Sequence, residues 1–381
     1  MVTRPRPSVR RAKAAAIEPA ALPRWAIAVV ALLAVLNLLG ALGGALVRVG
    51  TLAPAAAGPT GTAAVLAHGA LMMAGFFGTL IALERAVALH RGLWVPLLAG
   101  LGGLCAWLGG AGPWMWAAQA LWLASALGLV GLYAWAGRHR AWSLPLAVEG
   151  SGAVALLAGT LAAAFGEGEL ARLGWSAFLV LTIAGERREL MRLVRLPAWS
   201  AHAFLCGWAL LALAIAGHAL GAHAAALALW WWVMAALALW LLRLDIAPRQ
   251  WRAAGWAGHT AICLSIGYGW LLLAAVLGLA GQAAAWHVLW LGFVFAMVFG
   301  HAPIMLPALA GWRPRPTRWA LLPLALMGAS VALRVVAALA DLPRAWPLVG
   351  AGHVVALLSF ALLMARAVWR GESTRARSAR A

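Results

Sequence analysis

The chain has 381 residues, 65% of them hydrophobic and only 10% charged, with a mean hydropathy of +0.90. A soluble fold lacks the polar surface to cover such a composition, so the chain reads as a polytopic membrane protein whose first partner is the lipid bilayer. The net charge of +19 comes in short basic clusters between apolar runs. That pattern excludes a nucleic-acid-binding stripe and follows the positive-inside rule.

The head of the chain, MVTRPRPSVRRAK, is basic, and residues 1–24 read as a cytoplasmic tail. The Arg10-Arg11 pair resembles an export signal, but the apolar run after it is too long for one. Twelve runs of membrane-spanning length lie near 25–47, 64–84, 94–111, 114–136, 143–165, 171–186, 199–221, 224–242, 255–279, 285–308, 319–340 and 346–368. With the N-terminus inside, 25 of the 29 basic residues fall on the cytoplasmic side. The expected architecture is an all-α transmembrane bundle of about twelve helices over 25–368, both termini cytoplasmic, with a second basic tail at 369–381. No connection is long enough for a separate soluble domain. The three cysteines show no CxxC spacing and are odd in number, which argues against a disulfide framework.

The second run, HGALMMAGFFGTLIALER, places His68, Met72, Gly75 and Thr79 at the spacing of one helical face. It ends in Glu84-Arg85, echoed by Glu186-Arg187 at the end of the sixth run, either as a weak repeat or as independent charges snorkelling at helix ends. The ninth run carries His259, Cys263, Ser265 and Tyr268. His259 and Cys263 are one turn apart and suit a soft metal, with His202 and Met72 as further candidate ligands; the competing reading is that they hydrogen-bond neighbouring helices.

The tenth run, HVLWLGFVFAMVFGHAPIMLPAL, carries His287 and His301 fourteen residues apart, about 21 Å along one stripe. Pro303 and Pro307 come next and free carbonyls near 299 and 303, which need partners inside a membrane. By depth, His68, His287 and His353 lie in the outer part of the membrane and His202, His259 and His301 in the inner part. Glu149 in the fifth run and Arg334 in the eleventh are too costly to leave unpaired at depth. Arg334 shares its level with the outer histidines, as the propionates of a haem require, or else pairs with Asp341. There is no CxxCH, P-loop or HExxH motif, which disfavours covalent haem, ATP hydrolysis and zinc-protease chemistry.

The stretches HGALMMAGFFGTLIALERAVAL, LTIAGERREL and LGFVFAMVFGHAPIMLPAL resemble the NnrS and NnrS-like family of bacterial membrane proteins. The resemblance covers about a fifth of the chain. It implies haem and copper as cofactors, a bacterial inner-membrane location and a role in nitric oxide stress or denitrification. It carries His68, His287 and His301 over as ligands, with His353 and Arg334 completing the expected haem set. In a catalytic protein the metal would take a diatomic gas, with Tyr268 or Glu149 as proton donor. Subunit I of the haem–copper oxidases is a looser likeness, with haem ligands on its second and tenth helices. Here the sixth run has no histidine and no His-His pair occurs, so an oxidase-type binuclear centre is not expected. Two further readings remain: a transporter of a metal ion or small solute lined by His, Met and Cys, and a structural protein with no ligand.

Overall fold

The computed structural model describes residues 22–109 and 112–378. Most of the expected basic N-terminal tail lies outside the described residues. The described chain is helical throughout its ordered elements, with twelve helices and no strand among the described residues. They are α1 (Arg24–Arg48), α2 (54–89), α3 (Trp94–Leu108), α4 (Pro113–Arg140), α5 (Leu144–Ala164) and α6 (Gly168–Leu190). After them come α7 (Trp199–Ala219), α8 (His223–Leu244), α9 (Gly255–Leu279), α10 (Ala284–Ala310), α11 (Leu322–Leu339) and α12 (Trp346–Ser378). Ten are long and apolar enough to cross a membrane, so the architecture is that of a multi-pass membrane protein.

The two exceptions are informative. Helix α3 has only 15 residues. Helix α6 carries Glu169, Arg172, Glu186, Arg187, Arg188 and Glu189, yet most of its length is buried. It is the central element, shielded from lipid by its neighbours, and it lies against α5 through glycines. A Cβ on Gly174 would strike the backbone of Gly159 and Ala155, the close approach that small residues permit in lipid.

Short connections join successive helices, so two faces of the bundle can be told apart. One carries Arg91, Arg140, Arg195, Arg249, Arg252, Arg315 and Arg318 and is called the basic face. The other holds the turns near Gly50, Gly166, Gly221 and Gly281 and is the opposite face. Gly311, at φ +73°, adopts the left-handed conformation that ends α10.

Four details of the helices bear on the site. Helix α12 continues to Ser378, through the first residues of the basic segment at 369–381. Pro303 and Pro307 do not break α10, which runs on to Ala310. The tryptophan triplet of α8 divides between two environments: Trp230 and Trp231 are buried against Trp286, with ring centroids 5.9 and 4.7 Å away, while Trp232 faces outward. Finally, α2 and α10 each contain a π-helical turn, Leu71–Phe77 and Val288–Val294. A π turn holds an extra residue and rotates the helix on its N-terminal side against the helix on its C-terminal side. The single face expected for residues 68, 72, 75 and 79 is thereby split. His68 and Met72 line a cavity. Gly75 and Thr79 serve packing instead: Gly75 lies against Asn37 of α1, and the Thr79 hydroxyl donates to the Gly75 carbonyl.

Candidate functional site

Two cavities with ionisable linings lie in the bundle, one toward each face. The outer one, of about 460 Å³, is enclosed by α1, α2, α6, α10, α11 and α12 near the opposite face. His68, His287 and His353 line it, together with Arg48, Arg172 and Arg334. Met72, Phe77, Trp175, Trp286, Trp290 and Phe295 form much of its apolar wall, and its described lining holds no carboxylate. Its volume falls within the range of small-molecule and cofactor sites. The sequence brings His68, His287, His353 and Arg334 to one level; the structure brings them to one cavity.

The polar groups here are poised in different ways. His68 Nδ1 lies 2.8 Å from the Ala41 carbonyl. A donor bond to that carbonyl fixes the tautomer and leaves Nε2 as the free nitrogen, the arrangement found in metal-bound histidines. His287 packs its ring on Trp290, with centroids 5.5 Å apart. Both nitrogens of His353 and Nε of Arg334 are buried without a hydrogen-bond partner among the described residues. Arg334 lies over the Trp346 ring at 5.0 Å and makes no ion pair with Asp341, so the structural pairing weighed for it is not formed. Arg172 lies over Trp286 at 5.5 Å and has Glu169 at 4.0 Å. Arg48 donates to the Val65 carbonyl. Orphaned buried donors of this kind call for a ligand with acceptor oxygens.

The inner cavity, of about 220 Å³, lies between α2, α6 and α10 toward the basic face. Glu84, Glu186, His301, Met297 and Met305 line it, so His301 does not join the outer histidines. The physical reason is distance: α10 carries His287 and His301 fourteen residues apart, at opposite levels of the bundle. Phe77 lines both cavities and packs edge-on to Phe295 at 5.7 Å.

The remaining buried charges are paired outside both cavities. Arg85 binds Glu149 and lies over the Tyr133 ring at 4.9 Å. Arg187 grips Asp245 with two bonds of 2.9 and 2.7 Å, and the Tyr268 hydroxyl donates to the same carboxylate. Glu149 and Tyr268, expected as proton donors, are engaged in these pairs and line neither cavity. Asp245 escapes a sequence reading because it sits just past the apolar run of α8, where it looks like a loop residue. Arg48 and Arg172 escape it for the same reason.

The expected soft-metal set does not assemble. His202 is exposed on α7, and Met72 belongs to the outer cavity. His259 Nε2 lies 3.0 Å from the Phe299 carbonyl, the acceptor that Pro303 leaves free one turn later, and Cys263 Sγ is 3.6 Å from the same nitrogen. The Thr260 hydroxyl donates to the Gly300 carbonyl at 2.8 Å. His259 thus satisfies a proline-containing helix. Among the described residues, no three His, Cys, Asp or Glu side chains converge as a ready metal-ion site.

The family described as Domain of unknown function (DUF8744) matches residues 26–369. The chain belongs to this family. The matched region of this DUF8744 protein starts in α1 and ends in α12, so the family spans the whole bundle and both cavities. No curated protein and no solved structure matches the DUF8744 chain.

Proposed function

We propose that this protein is an integral haem-binding protein of the bacterial inner membrane, with the haem in the outer cavity and the basic face in the cytoplasm. One observation carries the reading: three histidines and three arginines from six helices converge on one largely apolar cavity with no carboxylate in its described lining. Haem matches each part of that wall. Its ring is large and apolar, its iron takes imidazole, and its two propionates are anionic.

His68 would hold the iron of a bound haem, because the Ala41 carbonyl engages its Nδ1 and leaves Nε2 free. His287 and His353 line the same cavity as further imidazoles that could hold it. Arg334, whose buried Nε has no partner, and Arg172 or Arg48 would hold the propionates. The tryptophans and phenylalanines exclude water and give the cavity a low dielectric. A bound haem would supply an iron able to exchange one electron or to bind a diatomic gas. The resemblance to NnrS-like proteins favours nitric oxide as that gas and a role in nitric oxide stress or denitrification. Copper fits less well, because only His259 and Cys263 meet, while His202 is exposed on α7 and Met72 lines the outer cavity. A transporter using the same histidines is the competing reading. It predicts solute uptake by a colourless protein.

The test is an optical spectrum of the detergent-purified protein from haem-replete cells, oxidised and then reduced, with iron and copper analysis of the same sample. A Soret band that shifts on reduction, with iron near one equivalent, is the expected result. A colourless, iron-free protein would contradict it.

A further inference from the structure

The inner cavity has a chemistry of its own. Glu84 on α2 and Glu186 on α6 both line it, and neither is hydrogen-bonded or within salt-bridge distance of a base among the described residues. The nearby cations are committed elsewhere, Arg85 to Glu149 and Arg187 to Asp245. The other titratable groups close by are Glu149 and Tyr133, both gathered at Arg85. A third, independent polar group faces the cavity from α10. His301 is half-buried there, and its Nδ1 lies 2.9 Å from the Met297 carbonyl, which leaves Nε2 without a partner among the described residues. Unpaired carboxylates and an imidazole inside a membrane domain are what proton pathways are built from. They line one cavity without converging as a three-ligand metal cluster, which favours a proton over a metal ion as the occupant. Above them, Phe77 and Phe295 separate this cavity from the outer one.

We propose that Glu84 and Glu186 form a proton-exchanging pair, relayed by His301, that connects the basic face with the middle of the bundle. In each step a carboxylate oxygen takes a proton from hydronium, whose O–H bond breaks to leave water, and later its own O–H bond breaks as the proton passes to water or to Nε2 of His301 and the carboxylate is restored. No electron moves. Phe77 is the partition between this cavity and the outer one. The pair acts whether or not the outer cavity takes haem, so the two readings fail separately.

Infrared difference spectroscopy of the full-length protein in lipid nanodiscs tests it on the protein alone. The pH is stepped from about 8 to about 6, a range in which an exposed glutamate stays ionised. The wild type is expected to gain a carboxylic-acid C=O band that shifts in D₂O. Glu84→Gln and Glu186→Gln each weaken or shift the band, and the double variant loses it. Glu169→Gln, on an exposed turn of α6, leaves it unchanged. Absence of the band in the wild type overturns the proposal even if the variants fail to fold. Persistence of the band in a folded double variant overturns it as well.

Discussion

His259 illustrates how a buried polar residue is read at the scale of single groups. Pro303 has no N–H, so the Phe299 carbonyl loses its helical donor, and His259 replaces it at 3.0 Å. Leaving that acceptor unpaired costs about 1–3 kcal/mol. His259→Ala should therefore lower the thermal midpoint in detergent without touching the outer cavity. Pro303→Ala returns an N–H to the same carbonyl, so in that background His259→Ala should cost much less. A double-mutant cycle measures the coupling; additive losses would contradict the assignment. Arg187 and Asp245 make the complementary point. Arg187 reads in the sequence as part of a weak repeat or as a charge snorkelling at a helix end, and its partner lies beyond the apolar run of α8 and gives no signal. Depth along a helix can be read from hydropathy. Which charge meets which across the bundle requires the tertiary structure.

Among the elements, α2 is the one on which the site depends. Its π turn, Leu71–Phe77, redirects His68 and Met72 into the outer cavity while Gly75 keeps α2 against Asn37 of α1. Regular helical spacing cannot anticipate this, because a π turn changes the period without any marker residue such as proline. The expected common face was wrong for that reason, although the residues chosen on it were informative. Deleting Ala74 should restore the α-helical period and rotate the preceding segment by about 100°. His68 then leaves the cavity. The predicted outcome is loss of the haem spectrum from a protein with unchanged far-ultraviolet circular dichroism. A deletion variant with an undisturbed haem spectrum would refute the role given to the π turn.

For the molecule as a whole, composition and charge distribution carry most of the fold. Twelve apolar runs become twelve helices, and the clusters of arginine mark one face. Helix α6 shows the limit of that reading, since a segment with six charges is buried over most of its length, its charges lying toward its two ends and Arg187 pairing with Asp245. The proposed topology, with the basic face in the cytoplasm, rests on the positive-inside rule. A reporter active only in the cytoplasm should work when fused at the C-terminus, and a cysteine placed at Gly50 should react with a membrane-impermeant thiol reagent from outside. The reverse labelling pattern would invert the topology. The candidate site was legible in part: three histidines and Arg334 at one level follow from depth alone. Arg48 and Arg172 did not, because a base at a helix end looks solvated until the neighbouring helices close around it.

Two separate cavities underlie both proposals, with haem in the outer one and the glutamates and His301 in the inner one. Comparing the optical spectra of His68→Ala and His301→Ala, purified in parallel with the wild type, probes that separation at its two ends. The expected result is that His68→Ala abolishes or strongly shifts the Soret band, while His301→Ala leaves its position and intensity per protein unchanged. A band lost in His301→Ala and retained in His68→Ala would put the cofactor in the inner half of the bundle and contradict the assignment of haem to the outer cavity.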